Sequence, residues 1–222
     1  MTTSDDSWSG KLRLIGDLER PDHTFLTAED TCWFFGEYTP RAGYAHSQTN
    51  GLINNLKKPI NTRGTPQWKY KERAIATVAT AIRRNLNAGS HATIVPLPPS
   101  KLPDAPDYDD RMLQVARSIG QGVDVRDMLV AVAEREARHT IQERRDPEEL
   151  RKSLGFHPSG QRDPAPSRVI LLDDVLTTGC SFSVCKAMIH ELWPDAAVYG
   201  LFVARRVPQQ MDPADWLDDL GQ

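Results

Sequence analysis

The sequence predicts an α/β fold, a doubly wound and mainly parallel sheet with a small N-terminal lobe, and three observations carry that prediction. Residues 93–97, 128–133, 169–172 and 198–204 are continuous apolar runs of strand length, the pattern of parallel strands covered on both faces. Between them, apolar residues recur at helical spacing, as in Met112, Val115, Ala116 and Ile119, or Val184, Cys185, Met188, Ile189 and Leu192. The run at 169–172 leads through Asp173-Asp174 and Thr177-Thr178-Gly179-Cys180-Ser181 into the second of those stripes. Strand, helix and strand in this rhythm make a layered sheet with helices on both sides.

Each element follows in chain order. Residues 12–15 and 32–38 are short strand candidates, and 40–43 and 61–66 read as loops because Pro and Gly punctuate them. This part reads as a lobe that covers or abuts the sheet. Ile75, Val78, Ala79, Ile82 and Leu86 mark a helix that Gly89 ends. The organisation expected is therefore 1–90 as N-terminal lobe and leading helix, 91–207 as core, and 208–222 as an acidic tail. The tail holds four aspartates with Met211, Trp216, Leu217 and Leu220, and reads as a short docked helix or a frayed end.

Composition removes several classes of function. At 222 residues the chain can bury one substantial core. A net charge of −3 and a pI near 6.1 argue against a general electrostatic grip on nucleic acid, while leaving room for a local basic patch. No apolar run approaches membrane-spanning length and residues 1–10 are polar and acidic. Neither a membrane span nor a secretion signal is expected, and the chain reads as cytoplasmic. Cys32, Cys180 and Cys185 form no C-x-x-C pair, which disfavours a disulfide framework and a zinc ribbon.

Residues 169–181, Val-Ile-Leu-Leu-Asp-Asp-Val-Leu-Thr-Thr-Gly-Cys-Ser, hold the chemistry. The strand should deliver Asp173 and Asp174 to the carboxyl edge of the sheet, where open α/β folds hold ligands. The turn after it presents hydroxyls and free N–H groups at a helix N-terminus, a site suited to phosphate. Carboxylates repel phosphate, so the two halves must grip different parts of one ligand. A sugar phosphate satisfies both: the aspartates accept from vicinal ribose hydroxyls, and Thr177, Thr178, Gly179, Cys180 and Ser181 wrap the 5′-phosphate.

The segment resembles the phosphoribosyl-pyrophosphate (PRPP) signature of type I phosphoribosyltransferases at every defined position. That resemblance implies an enzyme that moves a 5-phosphoribosyl group from PRPP to a nitrogenous acceptor and releases pyrophosphate. Asp173 and Asp174 would be the catalytic pair, with Asp174 the first choice for taking a proton. Mg²⁺, held mainly through PRPP, would be the cofactor, with no protein metal site. A wider resemblance, over about 49–205, is to the ComF-like branch of the family: residues 52–57 leading to a helix, the strand at 93 with its Pro turn, Arg111 with Gln114, Arg138-His139-Thr140-x-Gln142, Arg151 and Gly155-Phe156 stand in that branch's order. Many ComF-like proteins begin with a four-cysteine zinc module; here only Cys32 lies in the N-terminal half, and a lobe containing Trp33-Phe34-Phe35 takes its place.

Pro98-Pro99-Ser100-Lys101 ends the strand at 93–97. It is either a rigid exit or, with Ser100 and Lys101, the second anion site that a pyrophosphate leaving group needs. Arg111 is either a phosphate clamp or a helix-surface arginine. Residues 134–163 balance basic Arg135, Arg138, His139, Arg144, Arg145, Arg151 and Lys152 against a similar number of acids, which fits a solvated face. By resemblance the same stretch is a loop that closes over the reacting centre, with Arg138 on it. The competing function is a non-catalytic nucleotide- or PRPP-binding module of the same fold. A DNA-processing role fits the ComF-like likeness but not the charge. By resemblance dimers are common, and a protein partner stays open. Ser183-Val184-Cys185-Lys186 lacks companion motifs, no P-loop occurs, and the six histidines show no ligand spacing. Trp33, Trp68 and Trp193 read as packing residues, with base stacking on Trp68 and Tyr70 as the alternative.

Overall fold

The computed structural model describes residues 8–86, 91–133 and 146–207. Its centre is a mainly parallel mixed sheet of six strands: β1 (Arg13–Leu14), β2 (Cys32–Tyr38), β3 (Thr93–Pro96), β4 (Asp124–Val125), β7 (Arg168–Leu176) and β8 (Ala197–Arg206). The spatial order is β1-β2-β8-β7-β3-β4. Edge strand β1 runs antiparallel to β2, and every other pair is parallel. The helices are α1 (Gln48–Leu56), α2 (Trp68–Asn85), α3 (Arg111–Ser118), α4 (Pro147–Lys152) and α5 (Cys180–Leu192). The architecture is compatible with a doubly wound fold.

Alternation along the strands builds two cores, because successive side chains leave a strand on opposite faces. Val169, Leu171, Val95 and Phe34 pack with Phe182, Cys185 and Ile189 of α5. Ile94, Leu172 and Phe35 pack with Ile53 of α1, Val78 and Ile82 of α2 and Val115 of α3. Both faces are covered, which is why the central strands carry continuous apolar runs such as 169–172 and not an apolar residue at every second position.

Residues 32–38, expected in a lobe that covers or abuts the sheet, are a strand of the sheet itself. β2 pairs with β8 from Cys32↔Gly200 to Tyr38↔Arg206, and α1 and α2 lie on the sheet. The Trp33-Phe34-Phe35 run is apolar for the same reason as the other inner strands: Phe34 and Phe35 are 1 % exposed on opposite faces. The expected parallel strand at 128–133 is also corrected. β5 (Leu129–Ala131) leaves the sheet and pairs antiparallel with β6 (Leu154–Phe156). The chain turns off at Arg126, whose N–H still donates to Ile94 O at 2.9 Å. The buried guanidinium of Arg126 donates to Arg162 O and Pro164 O, fixing the chain beyond the ribbon. The edge strand beside β3 is β4, two residues long and carrying Asp124.

Candidate active site

The ligand cleft of an open α/β sheet lies outside the carboxyl ends of its strands where the winding reverses. Here β3 connects outward to β4 while β7 connects the other way to β8, so the reversal lies between β3 and β7. Their pairing ends at Pro96↔Leu172. β3 then turns away through its prolines, whereas β7 continues to Leu176 and carries Asp173 and Asp174 past the end of its neighbour. The aspartates thus stand inside the strand, two residues earlier than its end. A cleft of about 200 Å³ opens there, lined by Pro96, Pro99, Ser100, Asp173, Asp174 and Ser181 among others.

Asp174 is 4 % exposed and is held by two cations. Lys57, just past the end of α1, places Nζ 3.1 Å from Oδ1. Arg111, the first residue of α3, donates from Nε to Oδ2 at 2.8 Å. Arg111 also reaches Asp109 Oδ2 at 3.0 Å, and the same oxygen accepts from Lys71 Nζ at 2.8 Å. Lys71 is fully buried and donates further to Leu56 O and Lys58 O, capping the end of α1 from below. The chain of charges Lys71, Asp109, Arg111, Asp174, Lys57 therefore positions both cations at the cleft.

This network separates the acidities of the two aspartates. Burial pushes the Asp173 carboxyl up, the adjacent Asp174 charge pushes it further, and it reaches about 7. Burial acts upward on Asp174 as well, but Lys57 and Arg111 overcome it and hold that carboxyl below the usual range. Asp109 and Asp174 in turn raise Arg111, despite its burial. Like charges side by side with unequal partners give one fixed carboxylate and one near neutrality.

The turn after β7 is built for close approach. Gly179 has φ 84°, and a Cβ there would stand 2.8 Å from Leu26 Cδ2. α5 starts at Cys180 with no side-chain cap, leaving its first N–H groups without helical partners. Thr177 and Ser181 are exposed, whereas the side chains of Thr178 and Cys180 are buried. Those two can offer a ligand only their backbone. Behind the turn, Phe25 N–H donates to Thr178 O at 2.9 Å, buried His23 bonds through Nδ1 to Thr177 O, and Lys186 of α5 pairs with Asp30 at 2.6 Å.

The remaining predicted residues are placed as follows. Lys101 pairs with Asp107 at 3.2 Å, both more than half exposed. With Lys57, Ser100 and Arg111 it lines a second cleft of about 520 Å³ beside the first. Arg111 is therefore half-buried at the cleft and not free on the helix surface. Arg138 lies outside the described residues. Sequence reasoning missed Asp109, Lys71 and His23 and gave Lys57 no role. Lys71 had a signal, its place four residues before Ile75 on the buried stripe of α2; His23 had none.

A magnesium ion carried on the oxygens of a phosphorylated sugar needs few protein ligands. The donor set fits that use: Asp173 lines the cleft with no ion pair among the described residues, while Asp174 is already matched. Among the described residues no group of three or more His, Cys, Asp or Glu could hold a metal by itself. No protein-family model matches the chain, and no match to it was found among curated proteins.

Proposed function

We propose that the protein is a phosphoribosyltransferase of the type I kind, transferring a 5-phosphoribosyl group from PRPP to a nitrogenous acceptor. The observation that carries the reading is the juxtaposition, at the β3/β7 reversal, of paired carboxylates, a Gly179-centred turn opening α5, and the cations Lys57 and Arg111. The turn suits the 5′-phosphate, through the Thr177 and Ser181 hydroxyls and the first N–H groups of α5. Lys57 and Arg111, with Lys101 at the rim of the second cleft, suit the pyrophosphate. Asp173 suits the ribose hydroxyls.

In the reaction the acceptor nitrogen forms a bond to the anomeric carbon as the bond to the pyrophosphate oxygen breaks, and the electron pair leaves with pyrophosphate. The two aspartates lend negative potential to the positive charge that develops on the ribose. The nitrogen's proton goes to Asp173, whose affinity for protons is matched to neutral pH. That reverses the expectation for Asp174, which is tied to two cations and is the weaker base. Bound Mg²⁺ would offset charge on the leaving group.

One observation favours the second reading, a non-catalytic PRPP- or nucleotide-binding module: Asp174 is saturated by its ion pairs. Thermal shift decides the ligand and pyrophosphate release decides catalysis. PRPP with Mg²⁺ should raise the melting temperature by mass action, and a panel of nucleobases should then give release with at least one. No shift with PRPP or any nucleoside 5′-monophosphate overturns both readings. A shift without release from any base leaves the binding module.

A further inference from the structure

Between Tyr38 and Lys71 the sequence has no Asp or Glu, yet it holds Arg41, Lys57, Lys58, Arg63, Lys69 and Lys71. Lys57 and Lys71 belong to the cleft network. The other four stay at the surface, and among the described residues none of them pairs with a carboxylate. Three of them, Lys58, Arg63 and Lys69, lie against rings instead. Lys58 Nζ stands 4.9 Å from the Tyr44 ring centre and 5.7 Å from that of Tyr70, Lys69 Nζ is 5.3 Å from Tyr70, and the Arg63 guanidinium is 5.1 Å from Trp68. Tyr44 and Tyr70 are 53 % and 43 % exposed. In a chain of net charge −3, this is a cationic and aromatic surface without its counter-charge.

The missing charge is in the same chain. Residues 208–222 hold Asp212, Asp215, Asp218 and Asp219 with no Lys or Arg, interleaved with Met211, Trp216, Leu217 and Leu220. The described chain ends at the last residue of β2: Val207 N–H donates to Tyr38 O at 3.0 Å. Thr39 follows, tied to α1 through Asn50 at 3.1 and 2.8 Å. From Asn50 to Lys58 is roughly 12 Å along a helix, and an extended segment of the tail's length reaches roughly 50 Å. The reach is ample, and the composition is complementary: carboxylates for Lys58, Arg63 and Lys69, apolar side chains for the exposed faces of Tyr44 and Tyr70.

We propose that residues 208–222 dock in cis on the surface formed by Tyr44, Lys58, Arg63, Lys69 and Tyr70. The tail supplies the charge that the surface lacks, beside the end of α1 from which Lys57 reaches the cleft. This assignment does not depend on the phosphoribosyltransferase reading.

The test places a photo-cross-linking amino acid at Trp216 of the full chain and maps the adducts by mass spectrometry. Adducts within one chain to residues 41–70 are expected. They should be lost at about 1 M salt, where the screening length falls to roughly 3 Å. They should be lost equally when the four tail aspartates become Asn, and in the variant K58E/R63E/K69E. Combining that variant with D215K/D218K/D219K should restore them. Adducts on another surface, adducts only between two chains, or adducts indifferent to salt and to the Asn changes overturn the proposal. So does equal binding of a fluorescent oligonucleotide to the native chain and to its Asn-tail form, since an open surface needs no uncovering. The Asn-tail form leaves every described residue untouched, so the outcome stands even if the triple variant fails to fold.

Discussion

Arg111 Nε lies 2.8 Å from Asp174 Oδ2, and this pair joins the first residue of α3 to the seventh of β7. Both groups are largely out of water, so each is tolerated only because of the other. Arg111→Met should leave Asp174 with Lys57 alone and reduce unfolding free energy by about 2 to 4 kcal/mol, read by urea denaturation. Arg111→Met with Asp174→Asn should cost less than the sum of the single changes, because the stranded carboxylate is gone.

Lys71 presents the same physics one step further from the cleft. Burial pushes its ammonium pKa down, against the pull of Asp109. Lys71→Met leaves Leu56 O and Lys58 O without this donor and Asp109 with Arg111 alone, and should destabilise the fold by about 3 kcal/mol. Because those carbonyls hold the end of α1, amide exchange at residues 56–58 should rise more than in β8. Uniform acceleration across the sheet would mean that Lys71 does not position Lys57.

Much of this arrangement was legible, and the parts that were not have physical reasons. Val169, Leu171, Ile170 and Leu172 announced a strand covered on both faces, and the turn through Gly179 announced where it meets a helix. β2 was misplaced because Trp33-Phe34-Phe35 has the same apolar look whether it caps a sheet or joins one. β4 could not be seen, since two residues with an aspartate make no hydrophobic pattern. The pairings Lys57 to Asp174 and Lys71 to Asp109 join segments far apart in the chain, and no local spacing encodes them.

Gly179→Ala tests the turn. A methyl at φ 84° is strained, and here it would press on Leu26 Cδ2 at 2.8 Å. A loss of about 1 to 3 kcal/mol is expected, measured by thermal or urea unfolding. Leu26→Ala should recover part of what the clash adds but none of the backbone strain, so the double variant stays below Leu26→Ala alone. On the proposed reading, PRPP-dependent stabilisation should fall in Gly179→Ala with or without the Leu26 change.

Asp173 offers the sharpest pH signature. Its folded value, about 7, lies above the ordinary 3.8, so the folded chain binds this proton more tightly than the unfolded one. The stability that the group contributes is therefore fully present below pH 3.8 and is lost as pH rises through about 7. The slope is at most about 1.4 kcal/mol per pH unit for one group. Asp174 has the opposite sign: its ion pairs contribute above the usual carboxylate value and fade only as pH falls through its lowered one. Between about pH 4 and 7 the two can thus be told apart. Asp173→Asn should flatten the fall in stability across that window, whereas Asp174→Asn should lower stability throughout it. For the proposed transfer, pyrophosphate release should rise as Asp173 loses its proton near pH 7, and Asp173→Asn should abolish that inflection. It should also lower kcat by roughly 10²- to 10⁴-fold while PRPP still shifts the melting temperature. An unchanged pH profile in Asp173→Asn would remove Asp173 as the proton acceptor.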